Sequence, residues 1–120
     1  MSKSFYFFLT LLIFSSCNDS KNSSLIVGNW QATEWLVNGK PSSNNTKETS
    51  FSFKDNTEYT FNYAGTIEKG NYKVVGDKLY TTPYAQQEMM VKIGKLTLDS
   101  LVFDMNRGGQ SETLFLIKKN

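Results

Sequence analysis

From Leu25 onward, apolar and polar residues alternate with a period of two, and turn sequences separate the alternating segments. A period of two places successive side chains on opposite faces of a β-strand, whereas an amphipathic helix needs a period of 3.6. The clearest example has Tyr59, Phe61 and Tyr63 on one face of a single segment. Short strands between frequent turns are typical of a β-sandwich or β-barrel. The sequence therefore predicts an all-β domain over residues 25–120.

The alternating segments favour a closed meander. Gly76-Asp77 is a strong hairpin turn, and the first strand ends at Asn38-Gly39, with a polar loop over residues 40–47 behind it. Closing a meander of eight strands removes its exposed edges. We therefore predict an eight-stranded antiparallel up-and-down β-barrel, in which the strand with Trp30 pairs with the strand with Leu116. The predicted strands cover residues 28–37, 49–54, 58–63, 67–75, 78–82, 87–93, 101–105 and 112–118.

Composition excludes several classes of function. Lys and Arg number 13 against 11 Asp and Glu, so the net charge of +2 gives no electrostatic signal for nucleic acid. His is absent, which removes imidazole-based catalysis and metal sites with imidazole ligands. The single Cys excludes an internal disulfide. We therefore expect no catalysis, no metal and no cofactor. The acidic residues expected on outward phases or in turns are Glu34, Glu58, Glu68, Asp77, Asp99, Asp104 and Glu112.

Residues 1–16 have the pattern of an export signal. Lys3 is the only charged residue, a run from Phe5 to Phe14 is broken only by Thr10, and two small residues follow. As a helix this run would be about 15 Å long, which is roughly half of a hydrocarbon core. The segment therefore predicts a cleaved signal peptide and not a membrane-spanning helix.

The sole cysteine, Cys17, directly follows the apolar run. The sequence Phe14-Ser15-Ser16-Cys17 resembles the lipobox of bacterial lipoproteins. The resemblance implies cleavage before Cys17, acylation of its thiol, and a lipid-anchored place in the bacterial cell envelope, with the outer membrane favoured over the inner. The alternative is a secreted protein in which Cys17 is incidental. Polar residues 18–24 predict a flexible tether, so residues 17–24 form the anchor segment.

The first predicted strand opens with Gly28-Asn29-Trp30, which resembles the lipocalin signature. The chain is also similar to small lipocalin-like modules of bacterial lipoproteins through Val37-Asn38-Gly39-Lys40 and through a Phe-x-Phe strand followed by Asp-Asn-Thr. Lipocalins usually carry an Arg in the last strand that packs on the signature Trp. The only Arg here is Arg107, in a predicted hairpin loop, so Lys118 or its neighbour Lys119 is the available substitute. Gly28, Trp30 and Lys118 are therefore the signature residues that the resemblance implies.

Two interpretations of the barrel interior remain open. Inward aromatic and Met side chains are able to line a pocket for a small apolar ligand. Alternatively, side chains fill an eight-stranded barrel completely, and the domain acts through its outer surface as a structural or interaction module. The expected partners are the membrane, through the lipid anchor, and a small hydrophobic molecule. The residues predicted to line a pocket are Phe51, Phe53, Tyr59, Phe61, Tyr63, Tyr72, Met89 and Phe103.

Overall fold

A computed structural model describes residues 21–119, which form nine β-strands in a single antiparallel sheet. The predicted signal peptide and Cys17 lie outside the described residues. Strands β1 to β9 span, in chain order, Gly28–Val37, Lys40–Pro41, Thr49–Phe53, Glu58–Tyr63, Thr66–Val75, Lys78–Pro83, Met89–Leu96, Ser100–Arg107 and Gln110–Lys119.

The sheet closes on itself through the first and last strands. β1 pairs with β3 along one edge and with β9 along the other, and strands β3 to β9 pair in chain order. In the closing pair, Trp30 lies opposite Lys118 and Ala32 lies opposite Leu116. The eight strands other than β2 therefore form an antiparallel up-and-down barrel. The predicted fold, and the predicted closure between the Trp30 and Leu116 strands, are confirmed.

β2 is a short strand in a segment where the sequence predicts only a polar loop. Asn38 and Gly39 have φ angles of 52° and 78°, and two consecutive positive φ angles make the tight turn that reverses a hairpin. Lys40 is thereby brought opposite Val37, which starts a two-residue ladder. Residues 40–41 therefore extend the β1 hairpin, and the connecting loop covers residues 42–48.

The last three strands are longer than the sequence pattern predicts. Gly108 and Gly109 have φ angles of 60° and 83°, so a two-residue turn replaces the predicted five-residue loop at 106–110. β8 and β9 consequently run up to this turn. In β7 the register shifts between Ile93 and Lys95, and this bulge at Gly94 lets the strand continue beyond its predicted end at residue 93.

The core lies on the inner face of the barrel. Side chains on alternate positions of each strand point inward and meet in one continuous cluster, as the period of two requires. No side-chain nitrogen or oxygen that is fully buried within residues 21–119 lacks a hydrogen-bond partner. The buried apolar residues are Ile26, Trp30, Ala32, Trp35, Phe53, Tyr59, Tyr72, Leu79, Ile93, Leu101, Phe103, Leu114 and Leu116.

Residues 21–25 form a helical turn at a position where the sequence predicts a flexible tether. The Ile26 N–H donates to the Asn22 carbonyl at 3.1 Å, and the Asn22 side-chain amide donates to the Gly76 carbonyl at 2.8 Å. Ile26 is completely buried in the core cluster, and residues 21–26 thereby cover one end of the barrel. Residues 21–24 are therefore attached to the barrel, and this corrects the predicted tether. Within residues 21–119, no helical segment has the length and apolar character that crossing a membrane requires.

Candidate ligand-binding site

The two ends of the barrel differ in how they are covered. We call the end covered by residues 21–26 the closed end, and the opposite one the open end. The closed end also carries the turns at 54–57, 76–77 and 97–99. The open end carries the loops at 42–48 and 84–88 and the turns at 64–65 and 108–109.

The three signature residues lie together at the closed end. Trp30 is completely buried, and its indole Nε1 donates to the Ile26 carbonyl at 2.8 Å. The Lys118 Nζ lies 4.9 Å from the centroid of the Trp30 ring and donates to the Leu25 carbonyl at 3.3 Å. A Cβ atom at Gly28 would lie 2.5 Å from the Lys118 Cε, so a larger residue would displace the end of the lysine side chain from its place over Trp30. The signature therefore closes the barrel and fixes the entering chain.

Most of the predicted pocket residues form a packed aromatic core. The Phe51 ring stacks on Phe61 with centroids 4.4 Å apart and meets the edge of Phe103 at 5.4 Å. Phe53 lies 5.0 Å from Tyr72 in an edge contact. Phe53, Tyr72 and Phe103 are buried, and so is Tyr59, which lies against Phe53. These rings occupy the barrel interior from the closed end to the middle. An eight-stranded barrel is only wide enough for its own side chains there.

The two buried tyrosines have hydrogen-bonded hydroxyl groups. The Tyr59 hydroxyl donates to the Glu68 Oε2 at 2.7 Å, and the Tyr72 hydroxyl donates to the Lys54 carbonyl at 2.6 Å. Burial, followed by the hydrogen bond to the negative Glu68, raises the pKa of Tyr59 well above its ordinary value. Burial, followed by the charge of Asp55, raises the pKa of Tyr72. Both phenols therefore stay neutral and act as donors.

The remaining predicted pocket residues lie around the open end. Tyr63 is 37% exposed and Met89 is 49% exposed, although both lie on the inward phase of their strands. Phe51 and Phe61 are half-buried beneath them. Tyr63 also meets the edge of Trp35 at 5.8 Å. The open end therefore presents exposed apolar side chains above packed rings. We call this surface the cup, with Tyr63 and Met89 as its rim and the packed rings as its floor, and the predicted lining residues divide between the two.

Glu112 corrects the expectation that the carboxylates face outward. Its Oε1 accepts a hydrogen bond from the Trp35 Nε1 at 2.8 Å, and the Arg107 Nε lies 3.9 Å from its Oε2. Glu112 is 8% exposed, and the half-buried Glu68 also points inward to Tyr59. The period of two indicates that both side chains face inward, because Glu112 is in phase with the buried Leu114 and Glu68 is in phase with the buried Tyr72.

Two depressions lie over pairs of neighbouring strands on the side of the barrel. One of about 290 Å³ lies over the β1–β3 pair, and one of about 120 Å³ lies over the β5–β6 pair. Ser50 and Ser52 line the first, and Lys73 and Tyr80 line the second, all on outward phases. Within the described part of the chain, no three acidic or Cys side chains are grouped to hold a metal ion. The open end therefore remains the candidate ligand-binding site.

Comparisons with known proteins identify the family. A family model described as a lipocalin-like domain matches residues 26–103. A lipocalin-like protein from Bacteroides uniformis has a solved structure with a TM-score of 0.61 at 15% identity, covering 79% of this chain and 99% of that chain. An uncharacterized protein from Bacteroides eggerthii has a TM-score of 0.59 at 17% identity, covering 78% of this chain and 98% of that chain. No curated protein sequence matches. The family model spans more than half of the sequence, so the chain belongs to the family of lipocalin-like domains.

Proposed function

We propose that this chain is a membrane-anchored, non-catalytic lipoprotein of the bacterial cell envelope that binds a small apolar molecule at the open end of its barrel. The observation that carries the binding proposal is the exposure of Tyr63 and Met89. Inward-facing apolar side chains of a filled barrel should be buried, yet these two are accessible to solvent above the aromatic floor. They present an apolar surface that a ligand would cover.

The depth of the cup limits the ligand. Phe51, Phe61 and Phe103 pack against one another directly below it, so a ligand would lie on these rings without reaching the centre of the barrel. Glu112 and Glu68 are the acidic groups that point inward near this end. A flat or short apolar molecule without a carboxylate fits this surface better than a long-chain fatty acid does.

Tryptophan fluorescence tests this binding site, because the two tryptophans lie at opposite ends of the barrel. Trp35 contacts the rim residue Tyr63, whereas Trp30 is buried at the closed end. In the unacylated Cys17→Ser form, we expect retinol to quench the tryptophan fluorescence in a saturable way. Adding Trp35→Phe should remove most of this quenching. A panel of retinol, haem and fatty acids that changes neither the fluorescence nor the melting temperature would contradict ligand binding.

A matched pair of variants locates the site. Met89→Glu places a charge on the rim, and Ile117→Glu places the same charge on the outer surface, where the residue is equally exposed at 49%. We expect Met89→Glu to weaken retinol binding about tenfold or more, because desolvating an unpaired carboxylate is costly. Ile117→Glu should retain the affinity of the parent form. Equal losses in both variants would place the ligand elsewhere.

The anchor proposal rests on the export-like run and on the lipobox-like position of Cys17. We expect the full chain, expressed in a bacterial host, to incorporate labelled palmitate and to sediment with outer membranes. Cys17→Ser should lose the label and appear in the aqueous fraction. An unlabelled parent chain would contradict the anchor and leave a secreted protein.

The packed floor favours a second candidate function, in which the barrel is a structural or interaction module of the cell envelope. Phe53, Tyr59 and Phe103 are each no more than 2% exposed, so the interior below the cup is filled. In this case no small apolar molecule changes Trp35 fluorescence, and the outer surface carries the function. The retinol titration of the Cys17→Ser form separates the two candidates.

A further inference from the structure

The chain enters the barrel at the closed end and is held there by three hydrogen bonds. The Asn22 side chain donates to the Gly76 carbonyl at 2.8 Å, on the turn between β5 and β6. Lys118 donates to the Leu25 carbonyl at 3.3 Å, and Trp30 donates to the Ile26 carbonyl at 2.8 Å. The point at which the amino-terminal segment leaves the barrel is therefore fixed relative to the strands.

Only a short segment separates this attachment from the proposed anchor. Cys17 and Lys21 are four residues apart, and a fully extended chain advances at most about 3.6 Å per residue. An acylated Cys17 would therefore lie within about 14 Å of Lys21. A ten-residue strand tilted as in a barrel spans about 25 Å along the axis, so the open end lies beyond this reach.

The closed end presents an exposed apolar residue at the tip of a turn. Leu98 is 78% exposed, which is the largest exposure among the large apolar side chains described. The turn that holds it is ordered by its own bonds, because Thr97 donates to the Asp99 carboxylate at 3.1 Å and the Ser100 N–H donates to the Thr97 Oγ1 at 3.1 Å. The Leu98 side chain takes no part in these bonds and projects outward.

Among the described residues at the closed end, exposed lysines outnumber exposed acidic residues. The exposed lysines at this end are Lys21, Lys54, Lys78, Lys95 and Lys119, and the exposed acidic residues are Asp55, Asp77 and Asp99. Lysine side chains place their aliphatic stems against apolar surface and their ammonium groups at lipid headgroups. Basic residues next to a bilayer are attracted to anionic lipids, and an exposed Leu gains by leaving water.

We propose that the closed end of the barrel faces a phospholipid surface, with Leu98 inserted at the interface and the open end directed away from the membrane. This inference rests on the proposed acylation of Cys17. It adds an orientation that acylation alone does not require, because a flexible tether would allow either end to face the lipid. The attached turn at residues 21–25 removes that freedom.

Fluorescence quenching from the bilayer tests this orientation. The full acylated chain, carrying either Leu98→Cys or Gln110→Cys, is labelled at its single free thiol with an environment-sensitive maleimide dye. It is then reconstituted in phosphatidylcholine vesicles containing phosphatidylglycerol and a nitroxide-labelled lipid. Both residues are exposed, Leu98 in the turn at the closed end and Gln110 at the start of β9 beside the turn at the open end, so the two variants are matched. We expect at least twofold stronger quenching and a blue-shifted emission at position 98.

The outcomes separate the orientation from the anchor. Equal quenching at the two positions, or stronger quenching at position 110, overturns the orientation even if palmitate labelling shows that Cys17 is acylated. An unlabelled chain that does not bind the vesicles overturns the anchor and the orientation together. A Leu98→Ser variant provides a second measurement: if Leu98 inserts, a dye at the closed-end position Asp99→Cys should be quenched less strongly in its presence.

Discussion

The Lys118 ammonium lies 4.9 Å from the centroid of the Trp30 ring, across the pair of strands that closes the barrel. The two residues are direct cross-strand partners in β1 and β9. The same ammonium donates to the Leu25 carbonyl, so one side chain joins the first strand, the last strand and the entering helical turn. A lysine therefore performs here the packing on the signature Trp for which lipocalins usually use an arginine.

Removing the charge of Lys118 should lower stability. Lys118→Met keeps an apolar stem over Trp30 but loses the cation–π contact and the bond to the Leu25 carbonyl. We expect the free energy of unfolding to fall by about 1–2 kcal/mol, measured by urea denaturation. Lys118→Arg should retain most of this energy. The adjacent Lys119→Met should change it by less than about 0.5 kcal/mol, and an equal loss in Lys118→Met and Lys119→Met would contradict the assigned contact.

Gly28→Ala should destabilise the closed end. Gly28 has a φ angle of +139°, which side-chain-bearing residues rarely adopt, and the added methyl group would collide with Lys118. We expect a loss of about 1–3 kcal/mol from backbone strain, with a further loss as Lys118 leaves Trp30. Gly109→Ala is the control, because Gly109 also has a positive φ of +83° but has open space around it. A Gly109→Ala variant that loses as much stability as Gly28→Ala would show that the contact with Lys118 contributes nothing.

Glu112 should be replaceable by a residue that accepts a hydrogen bond but not by an apolar one. Glu112→Gln retains an oxygen for the Trp35 indole N–H, whereas Glu112→Leu leaves that buried donor unpaired. We expect Glu112→Leu to cost about 1–3 kcal/mol and Glu112→Gln to cost clearly less. Chemical denaturation followed by Trp35 emission measures both. Equal losses in the two variants would mean that the charge near Arg107, and not the hydrogen bond, is what stabilises this end.

Stability should fall at alkaline pH because of Tyr59. Burial, and then the hydrogen bond to Glu68, raises its pKa in the folded protein above the value of about 10 expected for an unfolded tyrosine. Above pH 10 the unfolded state therefore releases a proton that the folded state retains, so the free energy of unfolding decreases as pH rises. Below pH 10 both states keep the proton and Tyr59 contributes no slope.

Urea denaturation between pH 8 and pH 11 measures this dependence. Tyr59→Phe removes the titrating group, so we expect a shallower decrease above pH 10 than in the parent protein. Each protein is compared with its own stability at pH 8, which removes the cost of the lost bond to Glu68 from the comparison. Identical slopes in the two proteins would contradict the raised pKa of Tyr59.

Much of the fold is predictable because period two is a local property. The segment with Tyr59, Phe61 and Tyr63 shows which face of β4 is inward, and β4 spans the residues predicted for it. Where the prediction is wrong, a turn decides the strand length. Gly108 and Gly109 adopt positive φ angles that the sequence permits but does not require, and a two-residue turn then extends β8 and β9.

The candidate site is less predictable than the fold. Met89 and Phe103 are both inward-facing, yet Met89 is 49% exposed at the rim and Phe103 is 1% exposed in the floor. Alternation gives the face on which a residue lies but not its height, that is, its position along the barrel axis between the closed end and the open end. Height depends on the stagger between strands, which is set only when β1 meets β9.

The sequence by itself determined the eight barrel strands, the inward faces of their apolar residues and the pairing of the Trp30 segment with the Leu116 segment. Local alternation and turn residues define a meander of eight strands, and closing that meander removes its exposed edges. Tertiary structure alone decided that Glu112 accepts the hydrogen bond from Trp35, that residues 21–25 attach to the closed end, and that the aromatic rings fill the barrel below a shallow cup. These features depend on contacts between residues far apart in the chain. They arise only when the closed sheet brings its two ends and its inner face into fixed positions.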